Sequence, residues 1–379
     1  MRKTMKSGIP FIDLFAGCGG LSLGLEQAGF QPRFMNELVP AYAETYIRNH
    51  TLTSNRCFIG DIHDLLTRFD ELKGLFKGVR LVCGGPPCQG FSMANRQRVI
   101  DDPRNHLYKA FLEFLSKVRP EAFLMENVKG MLSRIDEIQA DFAKHLGHDY
   151  VFSFRVLNAA NFGVPQNRYR LILIGNRLGF SPEDVFKAIA SEQYPKFVLR
   201  DALFGLPHLE SRKEKNQAGL ESDECGKTAR PFNYPRTDFY RFLNGDKDIG
   251  TLYNHKNRFN NPRDIEIFRR LPQGGNSLHP SISDIMPYGR RNGIFKDKFF
   301  KLEEDRVCKT ITSHMRFDCN MYIHPWEARG LSPREAARIQ TFPDDYVFWG
   351  AQNSWYAQIG NAVPVKMAYA IGRGLKRFL

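Results

Sequence analysis

The sequence predicts an α/β protein: an open, nucleotide-binding type of sheet joined to a smaller, loop-rich second domain. Three observations predict it. Apolar Ile9 to Phe15 runs into the glycine-rich AGCGG, Ala16 to Gly20, and then into helical Leu21 to Ala28. Strand, glycine turn and helix are the first unit of such a sheet. Two more apolar runs, Val79 to Cys83 and Ala122 to Met125, deliver polar or reactive residues at their C-terminal ends, where open α/β sheets gather ligands. From about Phe180 to Pro325 the periodicity weakens, and Asn, Gly, Pro and aromatics rise among dispersed Lys and Arg.

Size and composition agree. The chain has 379 residues, enough for one large domain and a smaller one. Its 42% hydrophobic and 25% charged content is ordinary for a soluble globular protein. The net charge of +13 points to a polyanionic partner, of which nucleic acid is the commonest. The seven cysteines are scattered and form no CxxC pair. That argues against a disulfide frame or a zinc site and for a reducing compartment. No signal peptide or long apolar span is visible, so no membrane role is expected and the chain reads as cytosolic or nuclear.

In chain order, the glycines of the first turn let a backbone approach a ligand, and the helix N-terminus favours an anionic group. The spacing is neither GxGxxG nor a Walker motif, which disfavours a dehydrogenase or a P-loop NTPase. Phe34 to Glu37 reads as a second strand ending in an acid, placed for ribose hydroxyls. Ala41 to His50 reads as a helix. Asp61, between Gly60 and Ile62, has two readings: acceptor for an adenine amino group, or N-cap of the helix that follows.

The stretch GGPPCQGFS, Gly84 to Ser92, is the one around which the rest is organised. A lone cysteine is usually core filling. Cys88 instead follows Pro-Pro and precedes Gln-Gly, the pinned, open setting that a nucleophile needs. Ser92 to Arg104 is polar and reads as a flap, with Ser92, Asn95, Arg96 and Arg98 available to the phosphates of a nucleic-acid partner. Asn105 to Val118 reads as an amphipathic helix, and the strand Ala122 to Met125 delivers Glu126 and Asn127. A thiolate and a proton-handling carboxyl at one sheet edge are a chemical pair. Gln166, Arg168 and Arg170 alternate, which predicts one shared face. Ser332, Pro333 and Glu335 form a capping box, and Lys366 to Leu379 reads as the terminal helix.

DLFAGCGG, PPCQGFS, ENV, QNRYR, REAARIQTFP and QIGNAVPV occur in that order. Together they resemble the motif set of the DNA (cytosine-5)-methyltransferases, most closely the bacterial type of a restriction–modification system or a solitary one. The resemblance covers roughly the first half and the last tenth of the chain; the middle matches only in position. It implies S-adenosyl-L-methionine as methyl donor and a Rossmann-like, mixed seven-stranded sheet with a smaller target-recognition domain. The implied bounds are 1–200 plus 353–379 for the catalytic domain and 201–352 for target recognition and hinge.

Carried over by motif, Cys88 is the nucleophile, and Glu126 engages cytosine N3 and its exocyclic amine. Arg168 lies near cytosine O2 and Asn127 holds the loop. Phe15, Gly17, Cys18, Gly19, Gly20, Glu37, Asp61, Ile62, Pro86, Leu107, Asn361 and Val363 surround the cofactor. The resemblance further implies double-stranded DNA as partner, a bacterial cytoplasm with the protein at the nucleoid, and a restriction endonuclease as a functional rather than physical partner. Base reading is expected from Gln273, Asn276, Arg290, Arg291 and Asn292, which sit in glycine-bearing loops of the middle domain. Two rivals remain open at this point: an RNA cytosine-5 methyltransferase of the same fold, and a DNA-binding regulator without turnover.

Overall fold

The computed structural model describes residues 8–87, 107–212, 230–231, 235–287 and 297–379. Its contacts divide the chain into two compact units. One comprises Met1–Gly163, Arg168–Pro195 and Ala362–Leu379; the other comprises Val164–Asn167 and Lys196–Asn361. The sequence expectation placed the second boundary nine residues earlier, at 352/353. The helix Gln352–Asn361 falls in the second unit because it packs there: a Cβ on Gly360 would lie 2.2 Å from Ser313 N.

The first unit holds the expected mixed sheet. Its strands are β1 (Ile9–Leu14), β2 (Phe30–Glu37), β3 (Cys57–Ile59), β4 (Leu81–Gly84), β5 (Ala122–Val128), β6 (Val151–Asn158) and β7 (Tyr169–Asn176). The order is β3-β2-β1-β4-β5-β7-β6. β1 to β5 run parallel, and β7 is antiparallel to both its neighbours. β4 is buried throughout and β5 nearly so, as strands covered on both faces must be, and both read as continuous apolar runs. β6 has one neighbour and stays half-exposed, with Arg155 on it; charge on such an edge discourages pairing with another chain.

Helices cover the sheet where their apolar periods allow. In Leu107–Val118, Tyr108, Phe111, Leu112 and Leu115 recur at helical spacing and join the core containing Leu14, Val82, Phe123 and Met125. The last helix, Val365–Lys376, lies against Gly20–Ala28. That approach needs glycine: a Cβ on Gly24 would sit 2.4 Å from Ala368 Cβ and 2.5 Å from Val365 O. The C-terminal segment is thus part of the same unit as the glycine turn that starts it.

The second unit has short helices, a two-stranded ladder of Arg230–Pro231 with Thr251–Leu252, and a small core around Ile267, Phe268, Phe299 and Ile323. The stretch SPREAARIQ supplies its buried ionic frame. Ser332 and Glu335 close the capping box reciprocally. Arg329 grips Glu335 with two bonds of 2.8 and 2.7 Å, and Arg338 grips Asp344 with two of 2.7 Å. Burial alone would raise the Glu335 carboxyl, but the Arg329 guanidinium and His324 hold it well below its ordinary value. Arg334 donates to the carbonyls of Tyr253, Pro343 and Tyr346. The charges of this motif therefore build the unit's interior. No helix among the described residues is long and apolar enough to cross a membrane.

Candidate active site

The strand order reverses between β1 and β4, each leading outward to a different half of the sheet. A crevice at such a switch point, beyond the carboxyl ends of the strands, is where open α/β sheets bind ligands. The turn after β1 and the turn after β4 flank it.

On one side the glycine turn is tightly folded. Phe15, Gly17 and Gly19 all take positive φ, at 57°, 57° and 90°. For Phe15 this is strained backbone, which persists at sites the surroundings over-determine. A Cβ on Gly17 would meet no atom within 4 Å, so the turn opens onto free space. Glu37, at the end of β2, binds the turn: its Oε2 accepts from Gly17 N–H at 2.8 Å and its Oε1 from Val39 N–H at 2.8 Å. Burial raises the Glu37 carboxyl, and those backbone donors oppose the rise. Gly20 begins the helix after the turn.

Asp61 is the N-cap of Ile62–Thr67, accepting from His63 N–H at 2.8 Å. Ile62 is a core residue. Beside these acids sequence reasoning missed two residues. Leu38 and Ile59 are 60% and 48% exposed, directly after β2 and at the end of β3. Both look like ordinary strand residues in sequence; in the structure they are exposed apolar side chains close in sequence to Glu37 and Asp61.

The other side carries the reactive groups. Asn127 donates from Nδ2 to Pro86 O at 3.0 Å, and its Oδ1 accepts from Val128 N–H at 2.8 Å. It therefore pins the turn two residues before position 88. Gly85 comes so close to Glu126 that a Cβ there would lie 3.1 Å from Oε2. Glu126 itself is only 8% exposed, and Arg170 Nε meets its Oε1 at 2.8 Å. Register explains the pairing. Val128 lies opposite Arg170 across the β5–β7 ladder, so Glu126, two residues back on the same face, is Arg170's diagonal neighbour. Burial pulls the Arg170 guanidinium below its ordinary value, and Glu126 opposes that shift.

Arg168 is 1% exposed, and its guanidinium donates to Ala362 O at 2.9 Å. β7 starts at Tyr169, so Arg168 precedes the first residue of the strand. Gln166 departs further: it is buried in the other unit, bonded to Gln340 and to Ile311 N–H. The three alternating residues thus serve three different partners.

Pro86 and Val363 are buried and Leu107 is partly buried against the core. Asn361 is exposed at the end of its helix, and it closes the second unit as Val363 falls in the first. Cys18 is buried, and burial pushes its thiol well up. Burial pushes Cys83 well up too and raises Cys319, while Cys57 and Cys308 rise to about 11 and about 12. Gln273 is engaged by Glu304, donating to Oε1 at 3.1 Å and accepting from its N–H at 2.9 Å. Asn276 folds its own turn by accepting from Leu278 N–H at 2.9 Å. Cys88, Ser92, Asn95, Arg96, Arg98, Arg290, Arg291 and Asn292 lie outside the described residues. Among the described residues no cluster of His, Cys, Asp and Glu is arranged for a metal.

A family model for C-5 cytosine-specific DNA methylases matches residues 9–377. The chain belongs to that family. Its activity is therefore that of a DNA (cytosine-5)-methyltransferase, with S-adenosyl-L-methionine as the family's methyl donor. It is 32% identical to the type II methyltransferase M1.HphI of Haemophilus parahaemolyticus, over 97% of this chain and 86% of that protein. To M.XorII of Xanthomonas oryzae the identity is again 32%, over 97% and 84%. Among solved structures, a prophage-encoded E. coli protein assigned as a DNA modification methyltransferase superposes with a TM-score of 0.74 at 26% identity, over 97% of this chain and 99% of that one. The S. pombe Dnmt2 methyltransferase shares the fold at a TM-score of 0.56 and 17% identity. In this chain Glu126, Arg170 and the turn that Asn127 pins share one sheet edge.

Proposed function

We propose that this methylase modifies C5 of a flipped-out cytosine, within a specific duplex DNA sequence, through a covalent bond between Cys88 and cytosine C6. The observation that carries the reading is the Glu126–Arg170 pair beside the turn that Asn127 pins. C5 of cytosine is a weak nucleophile in an aromatic ring. Thiolate addition at C6 breaks the aromaticity and moves electron density to C5, where a proton on N3 stabilises the adduct. Glu126 is the residue for N3 and the exocyclic amine. O2 adjoins N3 on the ring, so Arg170, held at Glu126, takes the O2 role expected of Arg168. Arg168 positions the start of β7 through Ala362. Neither face of the ring is reachable inside a duplex, so the base must leave the stack.

S-adenosyl-L-methionine supplies an electrophilic methyl group. The residues present fit it: the open space at Gly17, the Glu37 carboxylate for ribose hydroxyls, and Leu38 and Ile59 as apolar walls for adenine. Cys18, Gly19 and Gly20 form the rest of the turn, and Asp61, Pro86, Leu107 and Val363 are assigned to the same pocket. The second unit selects the sequence. The pairing of the gene with a restriction endonuclease, and a place at the bacterial nucleoid, are carried from the type II relatives.

The reading is tested by transfer of tritiated methyl from the cofactor to duplex DNA and to tRNA, followed by bisulfite sequencing of the DNA. Label in DNA at one recurring sequence is expected. Label confined to tRNA would select the RNA enzyme, and no label in either would select the silent regulator.

A further inference from the structure

The opposite edge of the sheet carries a second charged feature. A groove of about 600 Å³ lies where β4 and β5 begin and β7 ends. That volume suits a small ligand or a short piece of a larger one. Its walls hold six basic side chains, Lys73, Lys77, Arg80, Lys117, Arg119 and Arg177, against one carboxylate, Glu121. Glu121 is taken by Arg80 at 2.6 Å. At the rim Lys73 pairs with Asp70 at 3.0 Å, Lys117 with Glu113 at 3.9 Å, and Arg119 with Asp149. Exposed pairs of this kind are weak and exchange readily with a competing anion. Lys77 and Arg177 are exposed and have no carboxylate within 4 Å among the described residues. Arg177 is fixed in place by Nε, which donates to the carbonyls of Arg119 and Pro120 at 3.1 and 3.2 Å.

Two further features line the groove. Phe69 offers an aromatic wall, with Lys117 Nζ 5.4 Å from its ring centre. Gly74 and Gly78 leave the backbone bare: a Cβ on either would meet no atom within 4 Å. The groove is also separate from the chemistry. Glu121 precedes the first residue of β5 and Glu126 lies near its end, roughly 16 Å away at about 3.3 Å per residue.

We infer that this groove is a second phosphate-binding site, which takes either the backbone of a DNA segment other than the one being methylated or the phosphates of a free nucleotide. The concentration of cations on an edge that the methyl-transfer reaction does not use is the observation behind it. Such a site would hold the enzyme on DNA between targets, or bind a soluble polyphosphate, through one chemistry.

The full-length enzyme and its Lys77→Ala/Arg177→Ala variant are compared in two arms. The first measures anisotropy of a labelled, cytosine-free poly(dA)·poly(dT) duplex over a salt series. The second measures calorimetric binding of inorganic pyrophosphate. If duplex DNA is the occupant, the variant loses about two units of the slope of log K against log salt. If the occupant is free nucleotide phosphate, the variant loses pyrophosphate binding at least tenfold and keeps the duplex slope. An unchanged slope with unchanged or absent pyrophosphate binding overturns the inference. Turnover on a saturating short target duplex should be unchanged, and a fall in kcat would contradict the separateness of the groove. Both binding arms read the groove whether or not the proposed methyl transfer holds.

Discussion

Cys88→Ser is expected to lower methyl transfer by about 10⁴-fold or more, the scale on which an enzyme loses its nucleophile, while DNA and cofactor dissociation constants stay within about threefold. A thiol is appreciably ionised near neutral pH and intrinsically nucleophilic, and a serine hydroxyl is neither. Serine keeps nearly the same size, and the turn before it is held from outside: Asn127 Nδ2 bonds Pro86 O whatever occupies position 88. Binding should therefore survive the loss of chemistry. Single-turnover transfer together with filter binding separates the two. Turnover close to wild type would remove Cys88 from the mechanism.

Glu126→Gln is expected to reduce kcat by about 10²–10⁴-fold, the range for loss of a positioned acid, with little change in binding. Glutamine keeps the shape and loses the proton that N3 needs. Arg170→Ala is expected to fall in the same range, because it removes the partner that fixes Glu126 and faces O2. Since the two side chains meet at 2.8 Å, their effects should not add: the double variant should be about as slow as the slower single one. Arg168→Ala is the contrasting case. It removes a bond to Ala362 O, so it should lower the melting temperature and leave kcat much less affected. Should Arg168→Ala abolish turnover in a stably folded protein while Arg170→Ala does not, the O2 role reverts to Arg168.

What sequence carried well was local. The glycine turn, the acid closing β2, the polar ends of β4 and β5 and the Ser332–Glu335 capping box each announce themselves within a few residues. Period two holds only along one strand, and Gln166 and Arg168 precede the first residue of β7. Their partners, Gln340 and Ala362, lie far along the chain, so no local pattern points to them. Gln273 is similar, since nothing near it in sequence indicates Glu304 as its partner. Leu38 and Ile59 were missed for the opposite reason. Their types suit a strand interior, and only the sheet's edge exposes them.

Asp13 was also unread. It sits inside an apolar strand, yet it accepts from Ser22 at 2.6 Å, and burial raises its carboxyl to about 7. Ser22 in turn meets the Tyr46 hydroxyl at 2.8 Å. This buried chain ties β1 to the helices Gly20–Ala28 and Pro40–Asn49, behind the glycine turn.

The covalent step is the centre of the account, and a target duplex containing 5-fluorocytosine tests it most directly. Fluorine cannot leave C5 as a proton does, so the adduct should persist after methyl transfer. A denaturing gel should show a shifted protein band that requires S-adenosyl-L-methionine, and peptide mapping should place the DNA on Cys88. Burial raises the thiols of Cys18, Cys57, Cys83, Cys308 and Cys319, which works against a nucleophile at any of them. A crosslink on any of these or on Cys225, the same band from Cys88→Ala, or an active enzyme that forms no covalent complex would contradict the mechanism.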